Sequence, residues 1–299
     1  MKRISIVLFL IALTISSCNS SQSEKGNTTT IESAKVKQDS ISGYVSVNGL
    51  NMYYEIYGEG KPLVLLHGGG STINTSFGRI IPELSKHRIV IGIELQAHGH
   101  TNDRDSDISF EQDADDVAAL LKKLEIPKAD FFGFSNGGNT TMQIAIRHPE
   151  LVDKIIVSSS FYKRSGVYSE FWEFMNHAAI ENMPQLYKDT YAKVAPHPEN
   201  LQSMHDKCVK RMVTFKDWSD DQIKSIKAPT LLIIGDADMV RPEHAVEMYR
   251  LIPSCQLAIL PGGHGKYMGE ITTLSKDNTD TIFCVPMIEE FLNAKRQEN

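Results

Sequence analysis

The strongest constraint on this chain is an alternation. Six apolar runs, at 62–66, 89–94, 129–134, 154–157, 229–234 and 256–260, are separated by segments with helical spacing or turn residues. Near-continuous apolar strands suit a sheet covered on both faces, where every side chain is buried. Strands alternating with helices join through right-handed crossovers, which makes the sheet parallel. The clearest helix lies at 110–124, with Ala114, Val117, Leu120, Leu121 and Leu124 on one face and acids near its start. Further helices are expected at 137–148, 242–251 and 286–295. Ahead of them, β-rich runs at 43–47 and 50–57 flank Asn48-Gly49, a type I′ hairpin signal. An antiparallel opening makes the sheet mixed, so the expected fold class is α/β with helices on both faces of a mostly parallel sheet.

One block breaks the alternation. Residues 161–227 are helical in pattern and carry Phe171, Trp172, Phe174, Met175, Met183, Met204, Met212 and Trp218. Helix–helix packing accounts for most of these side chains. As an insertion between two strands, the block is expected to be a lid, with the core formed by 41–160 and 228–299.

The chemistry concentrates at strand ends. Residues 129–139, ADFFGFSNGGN, run from an apolar strand through Gly133-Phe134-Ser135-Asn136-Gly137 into a helix. A G-x-S-x-G turn between strand and helix projects the serine hydroxyl from a sharp corner, and small residues on either side let the chain pass. A serine hydroxyl is a weak nucleophile without a base and an orienter for that base. Both are available further along: 229–234 leads into Gly235-Asp236-Ala237-Asp238, and 256–260 leads into Pro261-Gly262-Gly263-His264-Gly265. Ser135, Asp238 and His264 are therefore the expected catalytic set, with Asp236 the competing acid. His67-Gly68-Gly69-Gly70 ends the first parallel strand and offers free backbone N–H groups for an oxyanion. Gly69 is the expected first donor, Gly70 the alternative, and Asn136 N–H the second. Gly70, Phe134, Trp172 and Met239 are expected to touch substrate. No Gly-Lys-Ser/Thr follows the glycines, so this is no phosphate loop.

These motifs resemble the α/β-hydrolase superfamily over about 44–292. The resemblance implies the α/β-hydrolase fold, no cofactor, and acyl transfer to water through a Ser135 acyl-enzyme. Serine at the elbow excludes the relatives that use a nucleophilic aspartate. The stretch Glu94-Leu95-Gln96-Ala97-His98-Gly99-His100-Thr101 resembles the family's Asp-x-x-Gly-x-Gly-x-Ser loop, with Gln-Ala where the family has Arg-Gly. His98 and His100 look like a metal pair, but no third ligand accompanies them, and no metal is expected. The expected substrate is a carboxylic ester or lactone, and the chain resembles a lid-bearing group that includes macrolide esterases. Alternatives are a C–C bond hydrolase or a cofactor-free perhydrolase with the same triad, or a ligand-binding protein on a hydrolase scaffold.

Residues 1–17 read as a signal peptide: Lys2 and Arg3 precede an apolar run of about twelve residues, short of the roughly 20 that span a bilayer. Ile15-Ser16-Ser17-Cys18 resembles a lipobox, which makes Cys18 the expected lipidation site of a cell-envelope lipoprotein. Residues 18–40, rich in Ser, Thr, Asn and Lys, are expected to be a flexible tether. The net charge of −6 argues against nucleic acid as a partner. A monomer or weak dimer is expected. Cys208, Cys255 and Cys284 are too few and too scattered for a disulfide framework.

Overall fold

The computed structural model describes residues 40–277 and 279–295. The expected signal peptide, Cys18 and nearly all of the tether lie outside the described residues.

Among the described residues eight strands form one sheet. They are β1 Ser40–Val47, β2 Leu50–Tyr57, β3 Lys61–Leu66, β4 Arg88–Ile93, β5 Ala129–Phe134, β6 Val152–Ser158, β7 Thr230–Gly235 and β8 Cys255–Leu260. The spatial order is β1-β2-β4-β3-β5-β6-β7-β8. The β1–β2 and β2–β4 pairs are antiparallel and the other neighbours parallel. Asn48 and Gly49 join β1 to β2 with φ of 47° and 82°, the left-handed pair that a type I′ turn demands.

The helices are α1 Ile73–Phe77, α2 Ile81–Leu84, α3 Phe110–Lys123, α4 Asn136–Arg147, α5 Ser169–Asn176, α6 Gln185–Val194, α7 Leu201–Val213, α8 Asp220–Lys224, α9 Pro242–Leu251 and α10 Val285–Asn293. Strand side chains alternate between two apolar layers. Val64, Leu66, Ile91, Phe131 and Leu232 face α3, α4 and α9. Leu63, Leu65, Val90, Phe132 and Ile233 face α1, α2 and α10. Burial on both faces explains why the central strands read as continuous apolar runs rather than as alternation.

Helices α1 and α2 were not expected from the pattern. At five and four residues they are too short to show a period, and α1 starts on a local device instead. Thr72 Oγ1 accepts from the Thr75 amide, while Thr75 Oγ1 accepts from the Thr72 amide at 2.7 Å. Helices α5 to α8 all lie between β6 and β7. The parallel strands β3, β5, β6, β7 and β8 deliver the loops that follow them to one edge of the sheet. His67, Ser135, Ser159, Asp238 and His264 all stand on those loops.

Candidate active site

Strand β5 ends at Phe134 and α4 begins at Asn136, so a single residue makes the corner. That residue, Ser135, has φ 54° and ψ −122°, a conformation that a side chain adopts only under constraint. The flanking glycines explain how the corner closes. A Cβ on Gly133 would lie 2.1 Å from the Gly137 carbonyl oxygen, and one on Gly137 would lie 1.9 Å from that of Leu66. No other residue fits at either position.

His264, in the loop after β8, donates from Nδ1 to Asp238 Oδ1 at 2.8 Å. Asp238 is buried, and its other oxygen accepts from Ser159 Oγ at 2.5 Å. Burial works to raise the Asp238 pKa, but the charge and hydrogen bond of His264, with Ser159 and the Val240 amide, hold it below the ordinary carboxylate range. Burial likewise works to lower the His264 pKa; the Asp238 charge and hydrogen bond, with Glu270 adding, lift it above the ordinary histidine value. Phe134 packs its ring 4.8 Å from the imidazole. Ser135 and His264 open on one cavity of about 320 Å³. The Ser135 hydroxyl is in no hydrogen bond with His264; such contacts often tighten only in the Michaelis complex.

Two backbone donors face the serine. The Asn136 N–H is at the first position of α4 and has no acceptor within the helix, and the positive end of the helix dipole lies there too. In the glycine loop, the Gly68 amide donates to Ser76 Oγ at 3.2 Å and the Gly70 amide to His98 Nε2 at 3.0 Å. Among the described residues, the Gly69 amide has no acceptor. Gly69 also packs against Asn136: a Cβ there would meet Asn136 Nδ2 at 2.3 Å. Gly69, Ser135 and Asn136 all line the same cavity.

The alpha/beta hydrolase fold family matches residues 61–207. Pyrrolizixenacetamide deacetylase of Xenorhabdus hominickii is 30% identical over 242 residues, covering 74% of this chain and 90% of the relative. This chain belongs to the alpha/beta hydrolase fold family. The human serine hydrolase BPHL is 27% identical over 259 residues, covering 79% of this chain and 85% of that protein. Among solved structures, a meta-cleavage product hydrolase from Pseudomonas fluorescens superposes with a TM-score of 0.66 at 26% identity, covering 82% of this chain and 95% of that one.

In this α/β-hydrolase the two competing acids are separated by geometry. Asp236 is exposed and its Oδ1 accepts from the Gly262 amide at 2.8 Å, bracing the turn, while Asp238 reaches the imidazole. Gly70, Phe134 and Met239 line the cavity. Trp172 does not, and that expectation is corrected. Its indole N–H donates to the Arg164 carbonyl at 2.8 Å, its face lies 3.9 Å from the Arg164 guanidinium, and its edge meets Phe161. Stacking on Arg164 turns this ring away from the cavity. Phe171, Met175, Met183, Tyr187, Met204 and Met212 close the cavity from the insertion instead.

Neither histidine of the apparent metal pair is arranged as a ligand. His98 is buried and spends Nδ1 on the Gln96 carbonyl and Nε2 on Gly70. His100 donates from Nδ1 to Glu94 at 2.9 Å and stacks on Tyr53. Sequence reasoning missed His98 as a brace of the glycine loop, and it missed Ser159, Tyr267, Tyr187 and Glu270. Tyr187, on α6, donates to the buried Glu270 at 2.7 Å and so ties the insertion to the His264 loop. No motif marks these residues, because each acts through a contact distant in sequence.

Proposed function

We propose that this chain is a serine hydrolase that cleaves a neutral ester or lactone through a Ser135 acyl-enzyme. The observation that carries the reading is the convergence on Ser135, at a strained elbow, of His264 already oriented by Asp238 and of two uncommitted amide donors. His264 Nε2 takes the Ser135 proton as Oγ attacks the carbonyl carbon. The Gly69 and Asn136 amides hold the oxygen that becomes negative. The imidazolium then gives its proton to the departing alkoxide, leaving acyl-Ser135. Water attacks the acyl carbon, His264 takes the water's proton and returns it to Ser135, and the acid leaves.

Neutrality of the substrate follows from the lining. No lysine or arginine stands among the residues of the cavity wall, so a free carboxylate would be desolvated there without a cation. This favours an ester over a carboxylated substrate; C–C bond hydrolysis, suggested by the likeness to a meta-cleavage product hydrolase and to a 2-hydroxy-6-oxo-2,4-heptadienoate hydrolase, stands as the second reading. A cavity of about 320 Å³ is best matched by a compact substrate. The perhydrolase alternative has no separate support.

The test is intact-mass labelling with a fluorophosphonate, Ser135→Ala as control, followed by p-nitrophenyl esters of increasing length and a carboxylated vinylogous diketone. One adduct that vanishes in Ser135→Ala, with turnover of the esters, supports the proposal. Turnover of the diketone alone would transfer the reading to C–C hydrolysis. No adduct on the folded protein would favour a non-catalytic ligand-binding scaffold. As part of the same proposal, Cys18 carries the lipid of an envelope lipoprotein; Cys18→Ala should move the protein from the membrane to the soluble fraction.

A further inference from the structure

We infer that Ser159 and Tyr267 are positioning residues of the triad, forming with Ser158 a one-way chain of hydroxyl donors that ends on Asp238 and fixes the carboxylate that orients His264. The inference rests on the triad proposed above and adds a relay behind it.

The directions follow from counting protons. Asp238 Oδ1 is taken by His264 and Oδ2 lies 2.5 Å from Ser159 Oγ. An ionised carboxylate only accepts, so the Ser159 proton points at Asp238. Ser159 Oγ is then left with lone pairs toward the Tyr267 hydroxyl, 2.8 Å away, and the phenol proton turns to this nearer acceptor rather than to the Ile233 carbonyl at 3.4 Å. Tyr267 oxygen in turn accepts from Ser158 Oγ through a short contact. All three hydroxyl-bearing residues are fully buried. In a dry site each donor polarises the next, and the last one meets the charge. Burial pushes the Tyr267 pKa far up, so the phenol keeps its proton.

The backbone points the same way. Ser159 has φ 52°, where glycine is the relaxed choice. It stands one residue past the end of β6, with its amide donating to the Ile233 carbonyl of β7 at 2.8 Å. What glycine cannot supply at this corner is the hydroxyl. Neither Ser159 nor Tyr267 lines the cavity, so neither touches substrate.

Removing the Ser159 dipole leaves the Asp238 charge acting undiminished on the ring, so His264 should hold its proton to higher pH. The charged groups facing His264 are Asp238 and Glu270, and neither is altered by the variants. The experiment follows the His264 ring by NMR in the ¹⁵N-histidine-labelled full chain, assigned with His264→Gln, in wild type, Ser159→Gly and Tyr267→Phe. Ser159→Gly suits the backbone at this position, and melting curves confirm folding. The titration midpoint should move up in both variants, further in Ser159→Gly. With p-nitrophenyl butyrate, kcat should fall about 10- to 100-fold with KM unchanged, the value of a hydrogen bond to a charged group. A purely structural role would lower the melting temperature and leave the midpoint alone. An unmoved midpoint in folded Ser159→Gly overturns the relay. Absence of a fluorophosphonate adduct on wild type would instead sink the triad reading, and the NMR titration reads out independently of it.

Discussion

Nε2 of His98 accepts the amide hydrogen of Gly70 at 3.0 Å, while Nδ1 of the same ring donates to the Gln96 carbonyl at 2.8 Å. Both bonds require a neutral ring protonated on Nδ1. With the Gly70 amide held by His98, the loop presents the Gly69 amide to the cavity. His98→Ala should release Gly70 and let the loop turn. We expect kcat/KM on a p-nitrophenyl ester to fall at least about 10-fold, approaching the 10²–10³ of a whole oxyanion donor. An unchanged kcat/KM would show that the glycine loop holds its own shape.

Acid should destabilise the fold from near neutrality. Burial first, then mutual repulsion with His98, lowers the His67 pKa to about 3; burial and Arg211 lower that of His98 to about 4. Unfolded histidines titrate near about 6.5, so between these values the unfolded chain binds more protons than the folded one. Stability therefore falls as pH drops below about 6.5, by about 1.4 kcal/mol per pH unit for each ring. Asp238 does not offset this, because its depressed pKa makes its contribution disappear only at far lower pH. His264, raised, contributes fully below about 6.5 and loses its contribution only above that. Buried His244, whose pKa burial also lowers, adds in the same direction; denaturant unfolding between pH 6.5 and 5 should show the slope, and His98→Gln should reduce it.

Asp238→Asn and Asp236→Asn should separate cleanly. The first keeps the shape but favours the wrong imidazole tautomer, and by analogy with the protease triad kcat should drop about 10⁴-fold. The second keeps an acceptor for the Gly262 amide in an exposed turn and should leave activity within a factor of a few. Reversal of that order in steady-state assays would reassign the acid.

Tyr187→Phe removes the donor to Glu270 Oε1 and strands a buried carboxyl oxygen. The cost expected is about 1–3 kcal/mol of stability. Because the phenylalanine ring still fills the cavity wall, KM for a small ester should hold while the denaturant midpoint falls. An unchanged midpoint would mean that Thr272, which donates its amide to Glu270 Oε2 at 2.9 Å, suffices alone.

The fold and the side chains that gather at the cavity were legible in the sequence for a shared reason: both are written in local patterns. Ser135 sits among glycines that only a sharp corner explains, and His264 follows an apolar run that forms the edge strand β8. The choice between Asp238 and Asp236 was harder, since two residues apart in one loop they differ only in which way the turn faces them. Trp172 was misplaced because hydrophobicity says that a ring is covered and not by what. Ser159, Tyr267 and His98 were invisible as participants. Their partners lie 79, 108 and 28 positions away in sequence, and only the folded sheet edge brings them together.

The cavity wall carries one more consequence. Met175, Met183, Met204, Met212 and Met239 all line it. Thioether chains bend through three rotatable bonds and fill irregular gaps, so a wall built from five of them remoulds around whatever enters. Such a wall would grade ligands gently by length and shape, leaving selectivity to the rigid end of the cavity at Gly69, Ser135 and Asn136. The same sulfurs are open to oxidation chemistry: each sulfoxide would set a strong dipole into an apolar chamber and change what the wall accepts while Ser135 stays intact.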